Sequence, residues 1–427
     1  MSDVSDITAN RIEPKTVVLG LQHTFVMFGA TVLVPIITGL DIGVTLFAAG
    51  LGTLIFHFVT KGKMPVFLGS SFAFIPPILA VSAASGGNLA YATGGIMVAG
   101  LVYLVIGFIF RFVSYEVLKL ILPPHVTGPI IILIGLILAP VAIDSAGGVN
   151  SPGWVLDTIG TGGAWAVAIF TFAVAVFVKV GALKFGWKFI STLPVLVALV
   201  AGYLLSAILG IVDFGGIAEA GWFGLPAFML PRFSTTAILM TVPIAIVTVV
   251  EHFGDVIAIG NVVKKDYLKD PGVTRTLLGD GIATSISALL GGPANTTYSE
   301  NTGAVALTGV HTPIVMQIAA VFAIILSLVP KFTALIAGIP GPVIGGISVL
   351  LFGMISSIGI RNMIDAHVNM DDPRPLIISS AMLVLGLGGA NFQTGTFELG
   401  GLALAAIVGI LLNVIINFES FRSGKSM

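Results

Sequence analysis

The sequence contains no cysteine, and only 9% of its 427 residues are charged. Without cysteine there are no disulfide bonds, no thiolate catalysis and no cysteine-bound metals. Soluble domains carry about 25% charged residues, whereas this chain combines its low charge with a mean hydropathy of +1.08. A net charge of -1 argues against nucleic acid or another polyanion as the main partner. These values indicate an integral membrane protein.

Apolar segments recur along the whole chain. A membrane span needs roughly 20 apolar residues, and the sequence predicts about fourteen spans, several of them interrupted by Gly or Pro. With the N-terminus inside, all of the 19 Lys and Arg except Arg232 and Lys331 fall on the inner side. Positive loops stay cytoplasmic, so we expect a multi-pass protein of the inner (plasma) membrane with both termini in the cytoplasm. The segment from Asp213 to Arg232 is expected to be an exposed outer loop.

The two halves of the chain, 15–213 and 235–418, resemble each other. Gln22-His23 in the first half matches Glu251-His252 in the second. The later stretches GSSFAF (69–74) and NTTYSE (295–300) also match position by position. An odd number of spans per half means that the copies insert in opposite senses, which is typical of secondary transporters with a site near the bilayer midplane. We therefore predict an all-α membrane protein built as an inverted repeat of about seven plus seven spans.

The matched stretches GSSFAF and NTTYSE interrupt the predicted spans 3 and 10. Hydroxyl-rich segments flanked by Gly and Pro are poor helix interiors, and Thr and Tyr favour extended backbone. Unpaired backbone groups cost several kcal/mol each in lipid. The sequence therefore predicts that the two stretches pair as a short antiparallel ribbon, with half-helices whose N-terminal amides face a common cavity. The alternative is a pair of helix kinks packed on their neighbours.

Two acids, Glu251 and Asp255, lie four residues apart on one face of a predicted span. Buried acids are costly in a membrane and call for a function. Like charges this close disfavour double ionisation, which suits a group that takes up and releases a proton. A metal site is the alternative, but His252 faces away from both acids and no second His cluster is present, so neither metal nor cofactor is expected. Asp280 and Glu398 lie near predicted span ends and are expected to be interfacial.

Five motifs in order resemble the bacterial uracil permeases of the nucleobase–ascorbate transporter family. They are FGATVLVP (28–35), KGKMPVFLGSSFAF (61–74), EHFGD (251–255), DPG (270–272) and NTTYSENTG (295–303). The resemblance runs from Val17 to Phe418. It implies proton-coupled nucleobase uptake by a homodimer. It also implies a core domain of spans 1 to 4 and 8 to 11, and a gate domain of spans 5 to 7 and 12 to 14.

The same resemblance implies the site residues. Glu251 and Glu300 are expected to contact a pyrimidine ring and Phe72 to pack on it, while the backbone around Phe72, Tyr298 and Ser299 supplies amides. The predicted substrate-binding residues are Glu251, Glu300, Phe72, Tyr298, Ser299 and Ser71. The predicted proton-coupling residues are Glu251, Asp255 and His23, the last placed beside the cavity by the repeat. The choice between Asp255 and His23 stays open.

One position departs from the family pattern. Uracil permeases commonly carry His where this chain has Asp255, which is similar to the purine-directed and ascorbate branches. Those branches usually have Gln where this chain has Glu300, so the resemblance favours uracil:proton symport. A purine (xanthine or urate) carrier is the alternative. An inorganic-anion exchanger is less favoured, because such a site should prefer a cation or a neutral residue at position 300. An enzyme would need a nucleophile with its base, or a metal cluster.

Overall fold

The computed structural model of the chain describes residues 12–113, 115–394 and 397–418. Within these ranges, the side chains at positions 115, 116, 188, 299, 300, 394, 397 and 398 lie outside the description. The helices are α1 (Pro14–Thr38), α2 (Ile42–Val59), α3 (Ile75–Ala84), α4 (Leu89–Phe110), α5 (Tyr115–Ile121), α6 (Pro124–Ile137), α7 (Ala139–Ala146), α8 (Gly153–Val176), α9 (Ala182–Lys184), α10 (Lys188–Ser191), α11 (Pro194–Ile208), α12 (Gly215–Glu219), α13 (Thr235–Thr241), α14 (Ile244–Val263), α15 (Val273–Leu289), α16 (Ser299–Thr308), α17 (Pro313–Ser327), α18 (Pro330–Ala337), α19 (Gly341–Asp365), α20 (Pro373–Leu387) and α21 (Gly401–Ile416). The strands are β1 (Leu68–Ser70), β2 (Asn295–Thr297), β3 (Phe392–Thr394) and β4 (Phe397–Leu399). A 3₁₀ turn covers Phe72–Phe74, and π-helical turns cover Phe177–Gly181 and Leu268–Gly272.

Seven helical stretches of the described residues are long and apolar enough to cross a membrane. They are Pro14–Thr38, Ile42–Val59, Leu89–Phe110, Pro124–Ala146, Gly153–Lys184, Thr235–Val263 and Gly341–Asp365. The pair α17 and α18, bent by 86°, gives an eighth candidate. Further apolar helices are shorter: Phe72–Ala84, Pro194–Ile208, Pro373–Leu387 and Gly401–Ile416. The chain is therefore a multi-pass membrane protein, while the count of fourteen spans and the inverted repeat stay predictions.

The starts of many helices follow from local sequence. Proline occupies the first turn of α1, α6, α11, α17 and α20, where a missing N–H costs no intrahelical hydrogen bond. Asp41 caps α2 by accepting the backbone N–H of Val44 at 2.7 Å. Asp372 caps α20 in the same way, and the hydrogen bond from the Arg374 side chain lowers the pKa of that carboxyl. The cap of α20 thus stays ionised at neutral pH.

The helices pack into two bundles. In the first, the ribbon bundle (α1 to α4 and α13 to α17), α15 packs on α4 and α2, and α17 packs on α2 and α1. In the second, the α19 bundle (α6 to α8, α11 and α19 to α21), α19 packs on α6, α7 and α8, and α20 packs on α21. The two bundles meet where α14 contacts α6 and α21 and where α1 contacts α11. Helix α14, which carries Glu251 and Asp255, therefore lies between the bundles.

A segment without membrane-length helices joins α11 to α13. Residues 213–234 contain the short α12 and are otherwise irregular and mostly exposed, as the sequence predicted. The backbone of this segment is fixed to the ribbon bundle, because the N–H of Met229 donates to the carbonyl of Leu290 and the N–H of Arg232 donates to that of Ala90. The antiparallel pairing of β3 with β4 before α21 was not predicted from the sequence.

The predicted ribbon is present inside the first bundle. Strand β1 pairs antiparallel with β2, with Leu68 opposite Thr297, Gly69 opposite Thr296 and Ser70 opposite Asn295. The N–H of Ser71 extends the pairing by donating to the carbonyl of Ala294 at 2.8 Å. All six strand residues are buried. Each strand thus satisfies backbone groups of the other, which an apolar interior requires.

Each strand is also held by a threonine from the helix that precedes it. The hydroxyl of Thr53 on α2 accepts the N–H of Leu68 at 2.9 Å and donates to its carbonyl at 3.3 Å. The hydroxyl of Thr284 on α15 does the same for Asn295, at 3.2 Å and 3.0 Å. One hydroxyl therefore satisfies both the donor and the acceptor of a buried strand residue.

Gly69 is required by the packing of Tyr298 across the ribbon. The ring of Tyr298 lies so close to Gly69 that a β-carbon there would overlap it. The hydroxyl of Tyr298 donates to the carbonyl of Ser70 at 3.1 Å, which holds the ring in place. The glycine in the GSSFAF stretch is thus a close-approach position.

We predict that Gly69→Ala destabilises the protein. Overpacking against a fixed ring costs about 1 to 3 kcal/mol, and thermal unfolding of the purified protein in detergent measures it. The matched control is Gly303→Ala on the exposed face of α16, where a β-carbon meets nothing within 4 Å. Equal unfolding temperatures for the two variants would contradict the packing argument.

Candidate functional site

The two acids predicted for the site lie in the middle of α14. Glu251 is half-buried and Asp255 is 4% exposed. Their spacing of four residues places them on one helical face, roughly one turn apart. Helix α14 contacts β2, α16 and, from the other bundle, α6 and α21. The acids therefore lie beside the ribbon and near the junction of the bundles.

Asp255 is joined directly to the ribbon. Its Oδ2 accepts a hydrogen bond from the hydroxyl of Thr297 at 3.1 Å. Asp255 also lines a narrow crevice with Met64, Val66 and Thr302. The crevice lies on the side of the ribbon where α2 and α14 end and where the Lys-rich loops are located. A carboxyl placed here is close both to the ribbon and to the Lys-rich loops.

His252 and Asp280 form a buried pair that the sequence did not predict. His252 Nδ1 lies 3.1 Å from Asp280 Oδ2, and both side chains are 1% exposed. The expectation that Asp280 is interfacial was wrong: α15 runs on past it to Leu289, and its carboxyl points into the bundle towards α14. One turn before His252, the hydroxyls of Thr248 and Tyr103 are hydrogen-bonded to each other. His252 thus contacts α15, whereas Asp255, three residues later, contacts β2.

Two short helices begin at the ribbon. Helix α3 follows the 3₁₀ turn at Phe72–Phe74 and has 10 residues, and α16 starts at Ser299 and also has 10 residues. Ten residues give about 15 Å of helix, roughly half of the hydrocarbon core. In α3 the N–H of Ile75 donates to the carbonyl of Phe72, and the two prolines that follow have no N–H. The amides without intrahelical partners are therefore those of the 3₁₀ turn before α3 and of the first turn of α16, and both helix starts carry the positive end of the helix dipole. The structure therefore brings two helix N-termini together next to the acids of α14.

The side chains at the start of α3 are buried at the bundle junction. The ring of Phe72 packs edge-on against Phe352 of α19, with ring centroids 5.7 Å apart. The hydroxyl of Ser71 is fully buried and has no hydrogen-bond partner among the described residues. Phe72 thus belongs to the ribbon bundle but contacts the α19 bundle, and its partner Phe352 was not predicted from the sequence.

The repeat partners of the EH motif have different surroundings. His23 is fully buried on α1, where its imidazole lies against the side chain of Asn301 on α16. Asn301 in turn donates to the carbonyl of Pro65 at 2.8 Å. Gln22 donates to the hydroxyl of Thr192 at 2.9 Å and so links α1 to the start of α11. His23 is therefore near the start of α16, as the repeat predicted, while Gln22 faces the other bundle.

The remaining predicted residues divide into two sets. The backbones of Ser299 and Glu300 form the first turn of α16, but their side chains, like that of Glu398, lie outside the described part of the chain. The ring of Tyr298 is buried against Gly69. Tyr298, predicted as a substrate-binding residue, therefore packs on the ribbon and is hydrogen-bonded to it.

Sequence reasoning missed Asp280, Tyr103 and the two ribbon threonines. A signal existed for Asp280 and Thr284, because they are four residues apart and so share one face of α15. Thr53 and Thr284 hold strand residues at different separations, 15 and 11 positions along the chain. Position-by-position matching of the halves therefore does not align them.

A cavity of about 750 Å³ lies at the end of the molecule where α1 and α3 terminate. Its lining comes from both bundles, including Ile36 and Leu79 on one side and Val141 and Ile344 on the other, and it contains the exposed acids Asp144 and Asp213. None of the predicted site residues with described side chains lines it. The cavity is thus separated from the acids of α14.

The fold is shared with a membrane protein of known structure. The chain superimposes on the transmembrane domain of a cyanobacterium bicarbonate transporter, BicA, with a TM-score of 0.64 at 17% identity, over 94% of this chain and 97% of that one. At this identity the likeness concerns the fold.

The family follows from the sequence comparisons. The family model Xan_ur_permease, described as "Permease family", matches residues 14–395, and the chain belongs to this family. It is 44% identical to a uracil permease of Bacillus caldolyticus over 97% of this chain and 94% of that protein. It is 43% identical to a uracil permease of Paenibacillus larvae over 94% of both chains. The predicted resemblance to bacterial uracil permeases is confirmed.

We predict that Tyr298→Phe destabilises the protein while leaving the ring on Gly69. The lost hydrogen bond to Ser70 should cost about 0.5 to 1.5 kcal/mol, measured by thermal unfolding in detergent. The matched control is Tyr267→Phe: its hydroxyl is buried without a partner among the described residues, and burial raises the pKa of Tyr267 to about 12. Equal losses in both variants would show that the bond to Ser70 does not hold the ribbon.

Proposed function

We propose that this permease imports uracil by proton symport through alternating access. The observation that carries the proposal is the ribbon, which brings the N-termini of α3 and α16 together beside Glu251 and Asp255 of α14. The names of the relatives that are 44% and 43% identical support uracil as the substrate. The word permease in those names supports transport of an unchanged substrate rather than an enzymatic reaction.

The proposed site matches the hydrogen-bonding groups of uracil. Uracil has two ring N–H donors and two carbonyl acceptors. Glu251 and Glu300 accept from the ring nitrogens, and the backbone amides of the 3₁₀ turn Phe72–Phe74 and of the first turn of α16 donate to the carbonyl oxygens. Phe72 packs on the ring, and Ser71, Tyr298 and Ser299 supply the surrounding backbone. A base that leaves one of these buried groups unpaired is strongly disfavoured.

Proton coupling follows from the cost of a charged acid beside a neutral base. A proton that enters with uracil neutralises a carboxyl of the site and removes that cost. Glu251 is the first candidate, and either Asp255 or His23 passes the proton on. A membrane potential of 100 mV supplies about 2.3 kcal/mol per proton, and one pH unit supplies about 1.4 kcal/mol. Together they support an accumulation of several hundredfold.

Alternating access requires two bodies that move against each other. In this proposal the ribbon bundle is the core domain and the α19 bundle is the gate domain. They correspond to spans 1 to 4 with 8 to 11 and to spans 5 to 7 with 12 to 14. Phe72 against Phe352 lies at their junction, and the cavity of about 750 Å³ lies between them on one side. That cavity is the proposed outer entrance.

The membrane orientation and the assembly belong to the same proposal. The cation distribution supports an inner-membrane protein with both termini in the cytoplasm. On this orientation the Asp255 crevice faces inwards and the larger cavity faces outwards. The homodimer rests on the family resemblance.

Two other substrates are kept as alternatives. Asp255, in place of the His common in uracil permeases, favours a purine carrier for xanthine or urate. The fold shared with a bicarbonate transporter favours an inorganic-anion exchanger. Conversion of uracil uptake into xanthine uptake by Glu300→Gln would place the chain between the uracil and purine branches.

The test is uptake of labelled uracil into proteoliposomes under an inward proton gradient. Accumulation that collapses with a protonophore and ignores excess unlabelled xanthine supports uracil:proton symport. Strong competition by xanthine, or no entry of uracil, contradicts it and favours the purine alternative. Uptake driven by an anion gradient alone would favour the exchanger.

We predict separate effects for the two acids of α14. Glu251→Gln should abolish concentrative uptake, because it removes both a uracil contact and a proton site. Asp255→Asn should retain uracil exchange but weaken the dependence of uptake on the pH gradient. Both effects are measured in proteoliposomes, with Asp365→Asn, an exposed acid at the end of α19, as control. Full pH-driven accumulation by Asp255→Asn would remove that residue from the mechanism.

A further inference from the structure

Three polar contacts connect α14, α15 and β2 in a closed ring. His252 of α14 contacts Asp280 of α15. Thr284 of α15 binds both backbone groups of Asn295 in β2. Thr297 of β2 donates to Asp255 of α14. We call these three contacts the polar triangle.

The spacing of the residues explains why the triangle closes. Asp280 and Thr284 are four residues apart and share one face of α15. His252 and Asp255 are three residues apart and so lie side by side on α14. His252 contacts α15, and Asp255 contacts β2. Asn295 and Thr297 are two apart on the same strand. Each of the three elements therefore carries two nearby residues, and each residue contacts one of the other two elements.

All the side chains of the triangle are buried. None of the six is more than 4% exposed. Buried polar groups are costly unless they are paired, so these contacts favour one relative position of the elements that carry them. Removing one side chain leaves the group that it contacted unsatisfied. The two remaining contacts then allow α14, α15 and β2 to shift relative to one another.

The first half of the chain has only part of this arrangement. Thr53 of α2 holds β1 as Thr284 holds β2. The position four residues before Thr53 is Ala49, whereas the position four residues before Thr284 is Asp280. Helix α2 thus holds its strand without an acid at this position, while α15 also holds α14.

We propose that the polar triangle positions Glu251 against the ribbon amides, with Asp280 and Thr284 as positioning residues for uracil. This inference rests on the proposed function, because it assigns these residues to the same substrate site. Glu251 directly precedes His252 on α14, so the rotation of α14 that the Asp280 contact fixes also fixes the direction of Glu251. The Thr284 contact fixes the position of β2 along α15. Because α16 begins directly after β2, the contact also fixes the start of α16. The triangle thereby sets the distance between the acid and the amides that bind one base.

The first test compares threonine variants of α15. Thr284→Val removes the hydroxyl with little change in shape, and Thr284→Ser retains it. The matched control is Thr276→Val on the same helix, because Thr276 is fully buried and its hydroxyl donates to the carbonyl of Val273 within the same segment. We expect Thr284→Val to raise the KM for uracil uptake about tenfold, and Thr284→Ser to stay near wild type. A KM for Thr284→Val equal to that of Thr276→Val would overturn the proposal.

A double-mutant cycle tests whether the contacts act as one unit. If they do, Asp280→Asn combined with Thr284→Val should raise the KM little beyond the larger single effect, because the first change already loosens the triangle. Independent effects that multiply would contradict the triangle. If Asp280→Asn does not yield folded protein, His252→Gln replaces it in the cycle.

Two further measurements separate positioning from general instability and from a wrong substrate. Uracil should raise the unfolding temperature of the wild type and of Thr276→Val, and raise it less in Thr284→Val. An unchanged uracil-induced increment would reduce Thr284 to a structural role. Amide hydrogen exchange of 290–298 should increase in Thr284→Val, and protection equal to wild type would contradict the contact itself. If the wild type neither binds nor transports uracil, the proposed function fails. The amide hydrogen exchange result still decides whether the contact between Thr284 and Asn295 exists.

Discussion

The structure depends on the pairing of two extended segments inside an apolar protein. Extended backbone in a membrane has no water to satisfy its N–H and C=O groups, so neither β1 nor β2 is stable alone. Their pairing, with Thr53 and Thr284 at the edges, satisfies the groups that each strand exposes. Strands β1 and β2 are followed by the short helices α3 and α16. Two helix N-termini therefore meet at the ribbon, whereas two continuous helices would have none there. The ribbon thus forms the polar centre of the proposed site within an apolar bundle.

The acids of α14 complete that site, and their placement depends on the ribbon. Asp255 is joined to Thr297, while His252 on the adjacent face is joined to Asp280. Helix α14 also contacts the α19 bundle, so a movement between the bundles changes the surroundings of the acids. A protonatable group at such a junction is placed to couple a charge change to a conformational change. This links the fold to the proposed symport.

Much of this could be predicted from the sequence, and the exceptions have physical reasons. Hydropathy and the GSSFAF and NTTYSE stretches predicted a membrane protein with a paired ribbon and short helices leading away from it. The EH motif predicted the acid face of α14. Asp280 was misplaced because hydropathy alone puts an acid at a span end, whereas its partner His252 is 28 positions earlier and becomes visible only when α14 and α15 pack. Phe352 was missed because it contacts Phe72 across the junction of the two bundles. Local sequence periodicity does not show which residues meet between bundles.

The ribbon and α14 are proposed to form the uracil site together. The most direct measurement is an experimental structure of the purified protein with uracil. We predict density for one uracil between the starts of α3 and α16, within hydrogen-bond distance of the Glu251 carboxylate and against Phe72. Density confined to the cavity lined by Ile36 and Ile344, or no density next to Glu251 at saturating uracil, would contradict the account.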